Sequence, residues 1–301
     1  TDKEGRELTP EEVNAMLSDP DVDPSDYNVH YSKGVTVTTT PIYRSGAQID
    51  YNNHFAYIIG YPEGDVRPEN NISRAEVATI FFRLLTDDSR AEYWLTTNSF
   101  SDVTSDQWYN NAISTVANAG IVNGYEDGTF RPDAPITRAE FATIASRFAN
   151  ATGVISASFS DISGHWSEAA VIKAASVGWV TGYEDGTFRP DNRITRAEAM
   201  AIVNRVTFRL VEADGLGADA IKWVDNPESA WYYAIVEEAT NSHKYTRESI
   251  GDNETWTEVT EHRDWSKLEK ETSDKAAIVV GIGNGALDYE NKDGSIIVEE
   301  N

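Results

Sequence analysis

Two patterns of apolar positions alternate along the middle of the chain. The first is helical. Trp108, Ala112, Ile113, Val116 and Ala119 fall on one face at three- and four-residue spacing, and Gly120 supplies a stop, as Gly178 does further on. The second begins with a polar loop, Gly-Tyr-Glu-Asp-Gly-Thr-Phe-Arg-Pro-Asp at residues 124–133. Its Asp-Gly predicts a turn and its proline forbids a continuous helix, with a short extended piece over residues 129–131. A new helix is then predicted, with Thr137 as N-cap and Glu140 three residues on as the other half of a capping box. Ile136 and Phe141 form a hydrophobic staple around it, and Ile144, Ala145 and Phe148 continue its apolar face.

Both patterns repeat. The ten-residue loop returns letter for letter at residues 182–191, and a looser copy, Gly-Tyr-Pro-Glu-Gly-Asp-Val-Arg-Pro-Glu, occupies residues 60–69. Ser73/Glu76 and Thr195/Glu198 repeat the capping box, so an arginine recurs at 74, 138 and 196. The first interval is the longer, and the extra residues read as a linker around residues 87–99. Ser101-Asp102-Val103 and Ser160-Asp161-Ile162 open the first helical pattern, each followed by a tryptophan, Trp108 or Trp166. Upstream of Gly60 this opening is missing. Downstream of the third copy Trp223-Val224-Asp225 and Trp231 supply one with no loop behind it. Repeats that cannot bury their apolar faces alone complete a core by stacking. The pattern therefore predicts a circular closure, in which the C-terminal half-repeat serves the first copy and three units close a pseudo-threefold, mainly α bundle.

The division expected is 1–50, an acidic linker with a short strand at 35–40; 51–95, the second half of repeat 1; 96–150, repeat 2; 151–210, repeat 3; 211–245, the half-repeat completing repeat 1; and 246–301, a C-terminal extension. In that extension residues 276–280 and 296–298 read as short strands, and Trp256 and Trp265 are candidates to pack on the bundle. No signal peptide is visible at Thr1, and the lack of an initiator Met points to removal of a segment upstream.

Composition narrows the functions. A formal net charge of −25 argues against a nucleic-acid partner and against an anionic lipid surface, while leaving room for a local anion site made by a few arginines. With no cysteine, thiol chemistry and disulfides are excluded. No apolar run approaches the roughly 18 residues that would span a bilayer. The five histidines, at 30, 54, 165, 243 and 262, show no metal-ligand spacing, and no nucleophile elbow, zinc-protease helix or phosphate loop is present. The expectation is a non-enzymatic protein with no cofactor and no metal.

The openings Phe100-Ser101-Asp102-Val103 and Phe159-Ser160-Asp161-Ile162, the tryptophan-led helix, the Gly-Tyr-x-x-Gly-x-x-Arg-Pro loop and the Ile-Thr-Arg-Ala-Glu segment together resemble the S-layer homology (SLH) domain family over roughly residues 55–240. The resemblance implies three tandem units in a pseudo-trimeric bundle that anchors its protein at the outer surface of bacteria. The partner implied is a secondary cell-wall polysaccharide, with a pyruvylated aminosugar recognised in grooves between units. The first copy departs from the pattern, with Ser73 for Thr, Val66 for Phe and no opening of its own.

The residues suit that chemistry. Arg74, Arg138 and Arg196 each stand first after an N-cap, where a helix N-terminus favours an anion, and their planar forks match a carboxylate. Trp108, Trp166 and Trp231 can stack on a sugar ring, and Asp102, Asp161 and Asp225 can accept its hydroxyl or amide hydrogens. Gly60, Gly124 and Gly182 let a ligand approach or serve backbone geometry. Structural roles compete at each position: arginines bridging to carboxylates of a neighbouring unit, tryptophans in the core, aspartates capping a turn. Two other functions remain open, protein–protein assembly of an S-layer lattice and a tether between outer membrane and peptidoglycan.

Overall fold

Each of the three Ser/Thr-Arg-Ala-Glu segments starts a helix. The structure, a computed structural model, describes residues 46–149, 158–265 and 268–269; the expected strands at 35–40, 276–280 and 296–298 lie outside these. Helices α1 (Arg74–Leu84), α4 (Arg138–Ser146) and α6 (Arg196–Val206) all carry the reciprocal capping box: the Ser73, Thr137 or Thr195 hydroxyl accepts from the N–H of Glu76, Glu140 or Glu198, whose carboxylate accepts from the N-cap N–H in return.

Helices α3 (Asn110–Asn118), α5 (Glu168–Ser176) and α7 (Tyr233–Thr240) are the partners. They pack pairwise, α1 with α3, α4 with α5 and α6 with α7. Ala112, Ile113 and Val116 of α3 are fully buried, as the helical spacing predicts. The tryptophans stand two residues ahead of these helices rather than inside them, in a turn closed by bonds such as Gln107 N–H to Thr104 O. Gly120 and Gly178 end α3 and α5 at φ +70° and +76°, which a glycine adopts without a Cβ clash.

The three capping segments meet through their backbones. Ile72 N–H donates to Ile194 O at 3.2 Å, Ile194 N–H to Ile136 O at 3.3 Å, and Ile136 N–H to Ile72 O at 3.0 Å. All three isoleucines are buried. Outside this ring, the first two N–H groups of each helix donate to the loop of the next segment: Arg74 and Ala75 to Ala134 O and Pro132 O, Arg138 and Ala139 to Asn192 O and Pro190 O, Arg196 and Ala197 to Asn70 O and Pro68 O. The N–H groups that a helix leaves without intrahelical partners are thus used to join segments.

The stretch read as a linker at residues 87–99 contains a helix, α2 (Asp87–Tyr93). Its polar sequence conceals good local signals: Thr86 caps it, with Asp87 and Asp88 in the first turn. Arg90, on α2 and fully buried, donates to the carbonyls of Phe82, Arg83 and Leu85, closing the C-terminus of α1. After α7 the chain forms an antiparallel hairpin, β1 (His243–Thr246) and β2 (Thr255–Val259), with an irregularity between Lys244 and Tyr245. Trp265 and Leu268 return to the main core beside Phe82. The described chain is mainly helical, and none of its helices is long and apolar enough to cross a membrane.

Candidate functional site

The recurring loop is shaped by an aspartate and a strained arginine. Arg67, Arg131 and Arg189 lie at φ +52°, +58° and +56°, a left-handed conformation that L side chains adopt at a cost of about 1 kcal/mol. Both oxygens of an aspartate hold each one in place. Asp102 accepts from Phe130 and Arg131 N–H, and Asp161 from Phe188 and Arg189 N–H, all at 2.7 Å. Asp225 accepts from Val66 and Arg67 N–H at 2.9 and 2.7 Å. This left-handed residue is why no extended piece forms at residues 129–131. Burial raises the pKa of Asp161, but the bonds from Phe188 and Arg189 N–H outweigh it and the net shift is downward.

The glycines ahead of the loops are packing positions. A Cβ on Gly124 or Gly182 would run into the ring of Phe100 or Phe159, and one on Gly60 into the ring of Trp223. The aromatic that opens each helical pattern therefore lies directly on the glycine that opens the loop. Trp223 fills in the first loop the place that Phe100 and Phe159 fill in the others.

The three capping-segment arginines reach into the next loop. Arg74 donates to Phe130 O, to Asn123 O and to Glu140 Oε1 at 2.8, 3.0 and 2.8 Å. Arg138 donates to Phe188 O and Thr181 O and lies 3.8 Å from Glu198. Arg196 donates to Val66 O and, at 2.6 Å, to Glu76. The guanidiniums also sit over Tyr125, Tyr183 and Tyr61, and Tyr125 donates to the same Glu140 at 2.6 Å. One glutamate thus serves its own helix cap with one oxygen and a neighbour's arginine with the other. The bridging role that the sequence left open is the geometry observed. The helix N-termini behind these arginines are not open to an anion, because their N–H groups already donate to neighbouring carbonyls or caps.

A cleft of about 220 Å³ opens beside Arg74. Its walls come from three segments: Arg74; Gly124, Tyr125 and Glu140; and Trp166. Sequence reading brought Arg74, Gly124 and Trp166 forward separately, and the fold assembles them. It missed Arg147, which also lines this cleft. Arg147 donates to Gly120 O and Ile121 O. Burial lowers its pKa and that of Arg205, its counterpart on α6, with no acidic neighbour among the described residues to offset the effect. Position was the available signal: Arg83, Arg147 and Arg205 each lie nine residues after a capping-segment arginine. Trp166 and Trp231 are 63% and 64% exposed, too open to be core, whereas Trp108 is half-buried and edge-on to Tyr109. The face of Tyr125 is already covered by Arg131 at 3.9 Å, so it is a poor platform for a sugar.

Residues 99–142 and 158–200 match the S-layer homology domain. The two S-layer homology matches hold the exact loop copies and the cleft-lining Gly124, Tyr125, Phe130, Glu140 and Trp166. Among curated proteins, the chain is 36% identical over 204 residues to a cellulosome-anchoring protein of Acetivibrio thermocellus, covering 66% of this chain and 45% of that protein. It is 37% identical over 205 residues to cell surface glycoprotein 1 of the same organism, covering 64% of this chain and 9% of that protein. An S-layer protein of Bacillus licheniformis is 31% identical over 152 residues, 48% of this chain and 17% of the relative. The chain thus spans less than half the length of each of these relatives.

Proposed function

We propose that this chain is a non-enzymatic module that holds a surface protein on the outside of a bacterial cell by binding an anionic cell-wall polysaccharide in clefts between S-layer homology units. In this reading residues 211–245 complete a first unit around residues 51–95, and three units form a pseudo-threefold bundle. Support for the closure comes from Asp225, which treats the 66–67 turn as Asp102 and Asp161 treat theirs. Support for anchoring comes from the S-layer homology matches and from relatives named for anchoring and for S-layers.

The observation that carries the ligand reading is the cleft between Arg74, Arg147 and Trp166. In a chain of net charge −25, it brings together two guanidiniums, one of them with no carboxylate partner among the described residues, and an exposed indole. A pyruvylated aminosugar offers a carboxylate to the first and an apolar ring face to the second. Arg74, Arg138 and Arg196 contribute by shaping the cleft and its field. Arg147, Arg205, Trp166 and Trp231 are the groups expected to meet ligand directly.

Sedimentation with purified cell-wall sacculi tests this. Arg147→Ala with Arg205→Ala should weaken binding about tenfold or more, since a charge-assisted bond contributes about 1.5–3 kcal/mol. Trp166→Ala should weaken it further without unfolding the chain. Removing the wall polymer or its pyruvate should abolish binding. Unchanged binding by these variants would overturn the cleft reading. Self-assembly without wall material would favour the lattice, and retention by peptidoglycan stripped of polymer would favour the tether.

A further inference from the structure

Behind the C-terminal hairpin, four side chains from four parts of the chain converge. His54 precedes α1, Glu238 lies on α7, His243 begins β1, and Glu254 stands just before β2. All four side chains are wholly buried. His54 Nδ1 lies 3.2 Å from His243 Nε2, 3.2 Å from Glu254 Oε1 and 3.5 Å from Glu238 Oε1. His243 Nε2 lies 3.4 Å from each of the same two carboxylate oxygens. These are five of the six edges of a tetrahedron. A tetrahedral ion with N and O ligands at about 2.0–2.2 Å has donor–donor edges of about 3.3–3.6 Å, the bond length multiplied by about 1.63.

We propose that His54, Glu238, His243 and Glu254 form a closed, four-coordinate structural site for a divalent ion of the zinc class. His243 Nδ1 lies 3.0 Å from Asn241 O, so its proton belongs there and its Nε2 presents a lone pair. That is the second-shell bond expected of a metal-bound imidazole. Trp256 Nε1–H donates to the outer oxygen of Glu238 at 3.0 Å, while the inner oxygen, Oε1, receives no hydrogen bond from the described residues. Tyr245 stacks on His54 at 4.0 Å and Trp256 on His243 at 3.9 Å, so the ring faces are dry. Two carboxylates offset a divalent charge. Nitrogen donors and a count of four disfavour calcium and magnesium, which take six or more ligands, chiefly oxygens.

Such an ion would tie the segment ahead of α1 to α7 and to the hairpin. The competing arrangement is metal-free, with one proton shared between the carboxylates and Arg209, bound to Asn53 O and Phe55 O, offsetting the remaining charge.

The test uses the untagged full chain, dialysed against EDTA and then titrated with zinc sulfate or cobalt chloride. One equivalent of zinc should bind, and the melting temperature should rise by several degrees. Cobalt should give the intense visible absorption of a four-coordinate centre. Calcium and magnesium chloride should do neither. Glu238→Gln should lose the equivalent and the temperature shift. A wild-type chain that binds no stoichiometric zinc, a cobalt spectrum of octahedral type, or full zinc binding by Glu238→Gln would each overturn the proposal. The first two results need no variant to fold.

Discussion

Arg83 and Arg147 occupy the same place in sequence register, nine residues after Arg74 and Arg138, yet their surroundings differ. Arg83 is buried and bound through two nitrogens to Glu269, both at 2.8 Å, and it also donates to Tyr57 O. Arg147 is half-buried, donates to two carbonyls, and has no carboxylate partner among the described residues. The difference comes from the C-terminal segment, which packs Trp265 over Phe82 and brings Glu269 to Arg83. A repeated arginine has been turned into an internal clasp at one end of the array and left facing a cleft in the middle. Repetition fixes where a side chain starts; what packs beside it decides whether it is locked in an ion pair or left on the wall of a cleft.

The largest effect should come from breaking the clasp. Glu269→Ala takes the carboxylate away from a buried guanidinium and should cost about 3–5 kcal/mol in chemical denaturation. Arg147→Ala should cost less, about 1–2 kcal/mol, since its two carbonyl bonds are partly exchanged for water. Equal losses would break the contrast. Next, Asp225→Ala and Asp102→Ala should each cost about 2 kcal/mol, since each frees two N–H groups at a left-handed turn. If the ends of the array close on each other, both variants will melt in one transition. A separate early transition for Asp225→Ala alone would show that the closing contact is peripheral.

The smallest effect should be a pH dependence at the same end. Asp87 accepts from Arg263 at 2.7 and 3.0 Å and from Arg90 at 2.7 Å. Burial pushes its pKa up, but the two guanidiniums outweigh this and hold it below the usual carboxylate value. A depressed folded-state pKa contributes stability that is present above the unfolded value, near 4, and is lost as pH falls through the folded one. Asp87→Asn should therefore flatten the stability–pH curve below about pH 4 and leave the slope above pH 5 unchanged. An unaltered acid limb would show that the ion pairs of Asp87 do not stabilise this end.

Local signals were legible wherever the chemistry is local. The capping boxes of α1, α4 and α6 lie within four residues of sequence, and a hydroxyl and a carboxylate at that spacing have few other partners. α2 is hard to see in the sequence because Ala91 and Tyr93 are its two apolar residues, too few to mark a helical face. Its value lies in Arg90, whose targets are carbonyls of another helix. The aspartates that open the helical patterns looked equally suited to a sugar hydroxyl or a turn. Only the fold shows both oxygens of each taken by backbone N–H groups. The arginines looked like anion hooks at free helix ends, but in the fold those ends are filled by neighbouring loops and the guanidiniums by neighbouring glutamates. Arg147 and Arg205 went unnoticed because an arginine late in a helix usually marks nothing more than a favourable dipole contact.

By itself, then, the sequence determined the periodic parts: where helices begin, where glycine ends them, and the recurrence of a loop with an arginine behind it. Those are set by hydrogen bonds and steric limits that reach only a few residues. Tertiary structure decided which segment's loop receives which arginine, why Asp225 and Trp223 serve residues 60–67, and how His54 comes to face His243. Such contacts join groups up to about 190 residues apart, and their partners are selected by burial and by the demand that every enclosed polar atom find a match.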